Sequence, residues 1–272
     1  MLTSLQNPLV KQIRKLHRAK ERHEQSLFLL EGTHLVEAAC AVKYPLDTFC
    51  CTPDWQANHP TLWAQALKQA ERVELVSEAV LQSITTTVNP DGVVATAKRT
   101  ASAQPGLAAS MPQLGVALET LQDPGNLGSV IRTAAAVGVD ALWLSNDSVD
   151  LDHPKVLRAS AGQWFRLPMQ VSQNLQIDLQ NLQAQGVQIV ATLPTASLVY
   201  WQVDFTRPTV VVLGNEGAGL SNPISELADV SAKIPLADGV ESLNVAIAAA
   251  LILYEAQRQR LVVETLKNSS VV

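Results

Sequence analysis

The chain has few of the residues that usually indicate thiol or metal chemistry. Its three cysteines, Cys40, Cys50 and Cys51, form neither a Cys-x-x-Cys pair nor an even-numbered disulfide framework. Its five histidines show no HExxH pattern and no other metal-ligand spacing. We therefore expect reduced, buried thiols, no cysteine nucleophile and no metal ion.

Long hydrophobic runs are also missing. No apolar run reaches the ~18 residues that a membrane-spanning helix needs, and the first twenty residues are basic and amphipathic, without a signal-peptide core. The composition, 47% hydrophobic and 17% charged, is that of a globular protein slightly poor in charge. We expect a cytoplasmic protein that makes no use of a membrane.

The usual nucleotide-binding patterns are absent as well. The one glycine-rich stretch, Val211–Ser221, has the spacing GxxGxG, which is neither the GxGxxG of a dinucleotide fold nor the GxxxxGK[ST] of a P-loop. This spacing disfavours an ordinary nucleotide-dependent α/β enzyme, although such an enzyme using the glycine-rich turn remains a rival interpretation.

Positive charge is scarce overall but concentrated at the start of the chain. The net charge is −5, yet residues 1–23 contain six lysines and arginines against Glu21 alone, so this segment carries +5 and the rest −10. Because attraction to phosphates depends on local potential within a Debye length, a basic face here could bind RNA. A solvated helix face explains the same run equally well. The candidate RNA-binding residues are Lys11, Arg14, Lys15, Arg18 and Arg22.

Alternating apolar and helical stretches predict two α/β domains. We place an N-terminal domain at residues 1–100, a linker at 101–112, a second domain at 113–262 and a tail at 263–272. Helical spacing covers Asn7–Arg22 and Leu243–Arg258, and the second of these is so apolar that it must be buried in the core or at a subunit interface. Strands are predicted at 28–30, 48–51, 73–76, 92–97, 114–118, 141–144, 187–191, 209–213 and 230–234.

Three stretches of the second domain place polar residues between a strand and a helix. They are LQDPGNLGSVIRTAAAVG (121–138), VVLGNEGAGLS (211–221) and IPLADGVESLNVAIAAALILYE (234–255). In α/β sheets such junctions form ligand pockets outside the carboxyl ends of the strands. We expect the three stretches to meet at one pocket.

Individual side chains in these stretches have both structural and functional interpretations. Asn126 is the expected cap of a helix whose first N–H groups could hold a phosphate, and Arg132 lies beside the packing stripe, where it reaches a cleft or is simply solvated. Glu216 could cap a helix or bond to catalytic groups, and Ser242 is the expected cap of the last helix. Asn244, in an otherwise apolar first turn, needs a hydrogen-bond partner if it is buried.

The three stretches resemble, in order and wording, the signature motifs of the SpoU/TrmH family of RNA 2′-O-ribose methyltransferases, members of the SPOUT superfamily. The resemblance covers residues 112–260. A fainter resemblance, to the opening of the family's RNA-binding domain, is found in the stretch SLQNPLVKQIRKLHRAKERHEQSLFLLEG. The segment LDHPKVLRASAGQWFRLP (151–168) is also similar, except that His153 stands where many members have Asn.

The resemblance implies a fold, a cofactor and a set of site residues. The fold would be α/β, with a C-terminal trefoil-knotted SPOUT domain built on a mostly parallel sheet and a smaller N-terminal α/β RNA-binding domain. Asn126, Arg132, Glu216, Ser242 and Asn244 match the family's catalytic and substrate-positioning residues. S-adenosylmethionine would be held by Thr192, Leu193, Leu213, Gly214, Asn215, Gly217, Ile234, Leu236, Leu243 and Asn244.

The implied reaction is attack of a ribose 2′-hydroxyl on the sulfonium methyl group. Arg132 is the family's suggested activator of the hydroxyl, but a guanidinium is effectively always protonated, so Arg132 could instead grip phosphate and stabilise alkoxide charge. Ribosomal RNA is the expected substrate and transfer RNA the alternative, with a catalytically silent RNA-binding relative as a further alternative. A homodimer through the knotted domain is also implied.

Overall fold

The computed structural model describes residues 1–99 and 111–269, which form two compact units. The first unit contains residues 1–99 together with Asp150–Phe165, and the second contains residues 111–149 and 166–269. Residues 150–165, which the sequence prediction placed in the C-terminal domain, therefore belong by their contacts to the first unit. Most of the predicted linker, residues 101–110, lies outside the described residues.

Strands are numbered along the chain. The first unit contains β1 (Leu27–Glu31), β2 (Leu46–Cys51), β3 (Ala70–Leu75) and β4 (Val93–Lys98). The second contains β5 (Leu114–Leu118), β6 (Ala141–Ser145), β7 (Met169–Ser172), β8 (Gln188–Thr192), β9 (Leu198–Val199), β10 (Thr209–Leu213) and β11 (Val230–Lys233).

Helices are numbered in the same way. The first unit contains α1 (Pro8–Lys15), α2 (Ala19–Gln25), α3 (Thr33–Ala41), α4 (Pro53–Asn58), α5 (Pro60–Gln69), α6 (Glu78–Ile84), α8 (Pro154–Ala159) and a 3₁₀ turn at Gln163–Phe165. The second contains α7 (Pro124–Ala136), α9 (Leu175–Ala184), α10 (Asn222–Leu227), α11 (Val245–Ser269) and a 3₁₀ turn at Tyr200–Gln202.

The first unit is a four-stranded mixed sheet in the order β1-β4-β2-β3, where only the β2–β3 pair is parallel. Apolar residues of α1 and α6 pack on one face of this sheet. The three cysteines are buried and free, as predicted, and burial raises the pKa of Cys40 to about 11 and of Cys50 and Cys51 to about 12. These thiols are therefore protonated at neutral pH.

The basic N-terminal pattern forms two helices and not the single one predicted. Helix α1 ends at Lys15, and Arg18 is extended before α2 begins. The break allows Leu16, which is fully buried, and Arg22 both to point into the interior. The helical spacing of apolar residues could not reveal this break, because the residues before it and the residues after it each keep that spacing.

Arg22 is a buried charge and not a surface cation. Its side chain is 1% exposed and forms ion pairs with Asp150 at 2.8 Å and Asp152 at 3.2 Å. Arg99 also pairs with Asp152. The prediction that Arg22 binds RNA is wrong, because its guanidinium joins α2 to the later segment inside the first unit.

His153 forms a local contact at the start of α8. Its Nδ1 accepts a hydrogen bond from the backbone N–H of Lys155 at 3.1 Å. An asparagine oxygen can cap a helix in the same way, so the departure from the family pattern keeps the capping interaction. Burial, followed by the charges of Arg22 and Arg158, lowers the pKa of His153, which favours the neutral ring that this contact needs.

The second unit is a seven-stranded sheet in the order β7-β6-β5-β10-β8-β11-β9, and every pairing in it is parallel. Apolar residues of α9 and α10 cover one face, and α7 packs against α11. The predicted mostly parallel α/β architecture is confirmed. Because β5, β10, β8 and β11 are neighbours, their carboxyl ends lie along one stretch of sheet edge.

Helix α11 differs from its prediction at both ends. It begins at Val245, two residues after the predicted start, and continues to Ser269, through residues that were predicted to be a tail. No helix among residues 1–99 and 111–269 is long and apolar enough to cross a membrane.

Replacing Arg22 by Met should destabilise the first unit. The change leaves the buried Asp152 with one cationic partner fewer, and loss of a buried partner costs about 3 kcal/mol in unfolding free energy. Urea unfolding checks this value. The control is Lys20→Met, which removes an exposed pair with Glu24 and should change stability by less than ~0.5 kcal/mol. Equal midpoints for the two variants would contradict the buried network.

Candidate active site at the carboxyl edge of the parallel sheet

A cavity of about 430 Å³ lies at the carboxyl ends of β8, β10 and β11. Its walls come from the segments that follow these strands and from the loop before α11. The lining residues are Thr192, Leu193, Pro194, Leu213, Gly214, Asn215, Glu216, Gly217, Ala218, Gly219, Leu220, Ala232, Lys233, Ile234, Leu236, Glu241, Ser242, Leu243, Val245 and Ala248.

The predicted cofactor residues gather at this cavity. All of them line it except Asn244, which lies beside it at the start of α11. Glu216 and Ser242, predicted as catalytic, are also lining residues. Sequence reasoning missed Lys233 and Glu241, which lie within or next to the third motif but have no distinctive spacing.

The second motif closes on itself as a tight turn. The backbones of Asn215 and Gly219 exchange two hydrogen bonds of 3.0 Å, and Asn215 Oδ1 accepts from the N–H groups of Gly217 and Ala218 at 2.9 Å. A Cβ at Gly214 would lie 2.2 Å from the Gly219 backbone. Gly214 is therefore required for this wall of the cavity to form.

The first motif is capped by Asp123 and not by Asn126. Asp123 Oδ1 accepts from the N–H groups of Gly125 at 2.6 Å and Asn126 at 3.0 Å, and the Asp123 carbonyl accepts from Leu127 N–H. Pro124, at the first helical position, has no N–H to offer. The prediction that the N–H groups of this helix terminus bind a phosphate is therefore wrong, because these N–H groups already donate to Asp123.

Asn126 instead links the three motifs through its side chain. Its Nδ2 donates to Glu216 Oε1 at 3.1 Å, and its Oδ1 accepts from Asn244 Nδ2 at 2.9 Å. Asn244 Oδ1 in turn accepts from the N–H groups of Ala246 and Ile247, so Asn244 caps α11 in place of the predicted Ser242. Asn244 is exposed and not buried, but it does have the partner that it was expected to need.

Glu216 is the acceptor at the end of this chain. Its carboxylate accepts from Asn126 Nδ2, from Asp123 N–H at 3.1 Å and from Gln122 N–H at 3.3 Å. Partial burial raises the pKa of Glu216, but the hydrogen bonds from Asn126 and the backbone outweigh it, so the net shift is downward. Glu216 is therefore ionised at neutral pH and is a weak base.

A second polar network holds the turn between β5 and α7 from the other side. Thr120 has a left-handed backbone, with φ at +55°, and its Oγ1 donates to Asp147 Oδ2 at 2.8 Å. Its N–H donates to Ser145 Oγ at 2.7 Å, and its carbonyl accepts from Asn215 Nδ2 at 2.8 Å. Thr120, Ser145 and Asp147 were not predicted, because they lie outside the motifs, whereas Asn215 was predicted as a cofactor-binding residue.

Arg132 and Ser242 remain available for a ligand. Arg132 is exposed on α7 and forms no hydrogen bond or ion pair with any residue that the structure describes. Ser242 is also exposed, and its hydroxyl has no partner within residues 1–99 and 111–269.

The basic residues of the first unit divide into two groups. Lys11, Arg14, Lys15 and Arg18 are exposed on α1 and the turn that follows it, and none of the four forms an ion pair with a described residue. Arg22 is buried, as shown above. Four of the five predicted RNA-binding residues thus lie on the surface.

Two family models match the chain in its two halves. The SpoU rRNA methylase family matches residues 113–254, and the MRM3-like substrate-binding domain matches residues 7–95. The first match contains all three motifs. The second contains the exposed basic residues of α1.

Similar proteins extend over nearly the whole chain. An uncharacterized tRNA/rRNA methyltransferase of Synechocystis is 49% identical over 95% of this chain and 94% of its own. The 23S rRNA guanosine 2′-O-methyltransferase RlmP of Bacillus subtilis is 32% identical over 93% and 97%. The AdoMet-bound rRNA methyltransferase of Sinorhizobium meliloti, a solved structure, has a TM-score of 0.83 at 34% identity over 94% and 97%.

Replacing Glu216 by Gln should destabilise the second unit in a pH-dependent manner. The glutamine keeps one acceptor oxygen, which carries no charge, and its NH₂ cannot accept from the N–H donor on the other side. We therefore expect a loss of about 1 kcal/mol at neutral pH, reduced by solvent exposure. Because the folded-state pKa of Glu216 is lowered, the carboxylate stabilises the fold above its unfolded pKa. That contribution disappears as the pH falls through the folded-state pKa.

Urea unfolding at several pH values measures this difference. The control is Glu226→Gln on α10, where the exposed carboxylate has no hydrogen bond or ion pair to a described residue. A difference between wild type and Glu216→Gln that stays constant with pH would contradict the ionised state assigned to Glu216.

Proposed function

The chain belongs to the SpoU rRNA methylase family, and from this premise we propose that it transfers the methyl group of S-adenosylmethionine to a ribose 2′-hydroxyl of ribosomal RNA. The observation that supports this most directly is the contact of Asn126, Glu216 and Asn244 beside a cavity at the carboxyl edge of the sheet. A catalytically silent relative would have no reason to keep these side chains together with an Arg132 that is unpaired in the described part of the chain.

The chemistry of the cavity fits S-adenosylmethionine. Leu213, Leu236 and Leu243 provide apolar surface for an adenine ring, and backbone groups after the strand ends can bond to its edge. Gly214 permits the close backbone approach that forms the wall. When bound, the cofactor supplies a sulfonium methyl group that an oxygen nucleophile can attack.

Arg132 is assigned to the reacting oxygen and its phosphate. It is a permanently charged side chain with no partner among residues 1–99 and 111–269, so it can bind an RNA phosphate and stabilise the negative charge that develops on the 2′-oxygen. Glu216 does not serve as the base, because its lowered pKa makes the carboxylate a weak proton acceptor. Its oxygens also already accept hydrogen bonds from three N–H groups. Glu216 instead orients Asn126, and Asn126 and Ser242 help to position the ribose.

RNA also binds the exposed basic surface of the first unit. Lys11, Arg14, Lys15 and Arg18 provide four cations on one helix and its following turn, within the region that matches a substrate-binding domain. Their charge is local, which explains how a chain of net charge −5 binds a polyanion.

The protein is a cytoplasmic homodimer in this proposal. Ile247, Leu251 and Tyr254 on α11 are exposed at 54%, 39% and 52%, and Tyr200 borders the same surface. An apolar helix face of this kind is typical of a subunit interface. The trefoil knot of the second unit is part of the same proposal, and it rests on family membership.

Replacing Arg132 by Ala should abolish methyl transfer and leave cofactor binding unchanged. The expected loss in rate is at least about a hundredfold, the usual cost of removing a group that stabilises developing charge. Rates are measured with tritiated S-adenosylmethionine and total RNA, and affinity is measured by calorimetry. Arg166→Ala, an exposed arginine of the same unit, is the control.

The substrate is identified by mapping ribose methylation in total RNA from cells with and without the gene. A missing 2′-O-methyl group in ribosomal RNA is the expected result. If the missing 2′-O-methyl group is found in transfer RNA instead, transfer RNA and not ribosomal RNA is the substrate.

Normal turnover by the Arg132→Ala variant would contradict the assignment of the site.

Removing the exposed charges of the first unit should weaken RNA binding in a salt-dependent way. The variant carries Lys11→Gln, Arg14→Gln, Lys15→Gln and Arg18→Gln, and its plot of log affinity against log salt should lose about 0.7 to 0.9 in slope for each lost phosphate contact. Filter binding measures the slope. Lys68→Gln on α5 is the control, and identical slopes would contradict this RNA-binding surface.

A further inference from the structure

The cavity contains two charged side chains that the reaction described above does not use. The charged residues among its described lining are Glu216, Lys233 and Glu241. Glu216 binds Asn126 and two backbone N–H groups. Lys233 and Glu241 form no hydrogen bond or ion pair with any residue in the described part of the chain, although both line the same space.

The two side chains come from different elements. Lys233 is the last residue of β11 and is half-buried, and Glu241 is exposed in the loop that leads to α11. The two side chains form no ion pair with each other, so each charge is open to a ligand group. The cavity therefore has one free cation and one free anion within its described lining.

The remaining surface of the cavity is mainly apolar side chains and backbone, which suits an adenine and a carbon chain. Neither of these groups needs a charged partner. The other end of S-adenosylmethionine is an α-amino acid, with a carboxylate and an ammonium group that both need partners of opposite charge. We propose that Lys233 and Glu241 form the subsite for this α-amino-carboxylate group, with Lys233 Nζ on the carboxylate and the Glu241 carboxylate on the ammonium.

This subsite rests on the proposed use of S-adenosylmethionine and adds the residues that recognise its amino-acid end. It accounts for a lysine at a strand end where the neighbouring lining residues, Ala232 and Ile234, are apolar. It also gives the two carboxylates of the cavity different roles, since Glu216 orients the Asn126 amide and Glu241 binds the cofactor.

Three ligands test the subsite by calorimetry, with no RNA present. S-adenosylmethionine and S-adenosylhomocysteine both carry the amino-acid end, and 5′-methylthioadenosine lacks it. Lys233→Met should weaken the first two about five- to tenfold and leave the third unchanged, because only the lost charge–charge hydrogen bond differs. Lys233→Arg should retain most of the affinity, and Lys68→Met is the matched surface control.

Glu241→Gln tests the second contact with the same ligands. Weaker binding of both S-adenosylmethionine and S-adenosylhomocysteine, with 5′-methylthioadenosine unchanged, supports contact with the ammonium group. Weaker binding of S-adenosylmethionine alone would place Glu241 at the sulfonium and overturn its assignment. Glu226→Gln is the control, because its exposed carboxylate is also unpaired among the described residues.

Two other results would overturn the assignment of Lys233. An equal loss for all three ligands would mean that Lys233 shapes the cavity, and unchanged affinities with weakened RNA binding would mean that it contacts phosphate. These failures are distinct from failure of the proposed function. If the wild-type protein binds none of the three ligands, the proposed function fails before Lys233 is tested.

Discussion

The hydrogen-bonded chain Asn244–Asn126–Glu216 is the interaction on which the organisation of the site depends. Each amide has a single possible orientation in it: Asn244 Oδ1 caps α11, so its Nδ2 faces Asn126, and the Nδ2 of Asn126 therefore faces the carboxylate. An ionised carboxylate offers only acceptors to Asn126, whereas a protonated or amidated side chain at position 216 also carries a donor. If that donor faced Asn126, both amides would have to reverse their orientation. The ionised state of Glu216 is thus part of the geometry of the site and not only of its charge.

The parallel sheet brings these three hydrogen-bonded side chains together. Residues 126, 216 and 244 are far apart in sequence, but they follow β5, β10 and β11, whose carboxyl ends lie on one edge because the strands are parallel. Thr120, with its left-handed backbone, turns the chain from β5 toward α7, and Asp147 and Asn215 hold that turn from two sides. The site is therefore built mainly from loops whose ends rigid strands hold in place.

Sequence patterns predicted the long, apolar elements well and the ends of helices poorly. Strands β5 and β10 have their predicted bounds, because both are fully buried apolar runs, whereas β9 has only two residues and offers no periodicity. Both misassigned caps arose where two capping residues lie close together. Pro124 at the first helical position favours Asp123 over Asn126, but Asn244 takes precedence over Ser242 through a tertiary contact that no local rule predicts.

The inclusion of residues 150–165 in the first unit affects how the protein is made. Phe28 and Tyr44 pack against Trp164 and Phe165, with ring centroids 5.2 Å apart in each pair, and Arg22 needs the carboxylate of Asp152. The amino-terminal unit thus cannot complete its core on the ribosome until residue 165 has emerged, by which time β5 and β6 of the other unit have also been synthesised. A gene fragment that stops at residue 99 would encode a chain whose aromatic side chains lack their cover.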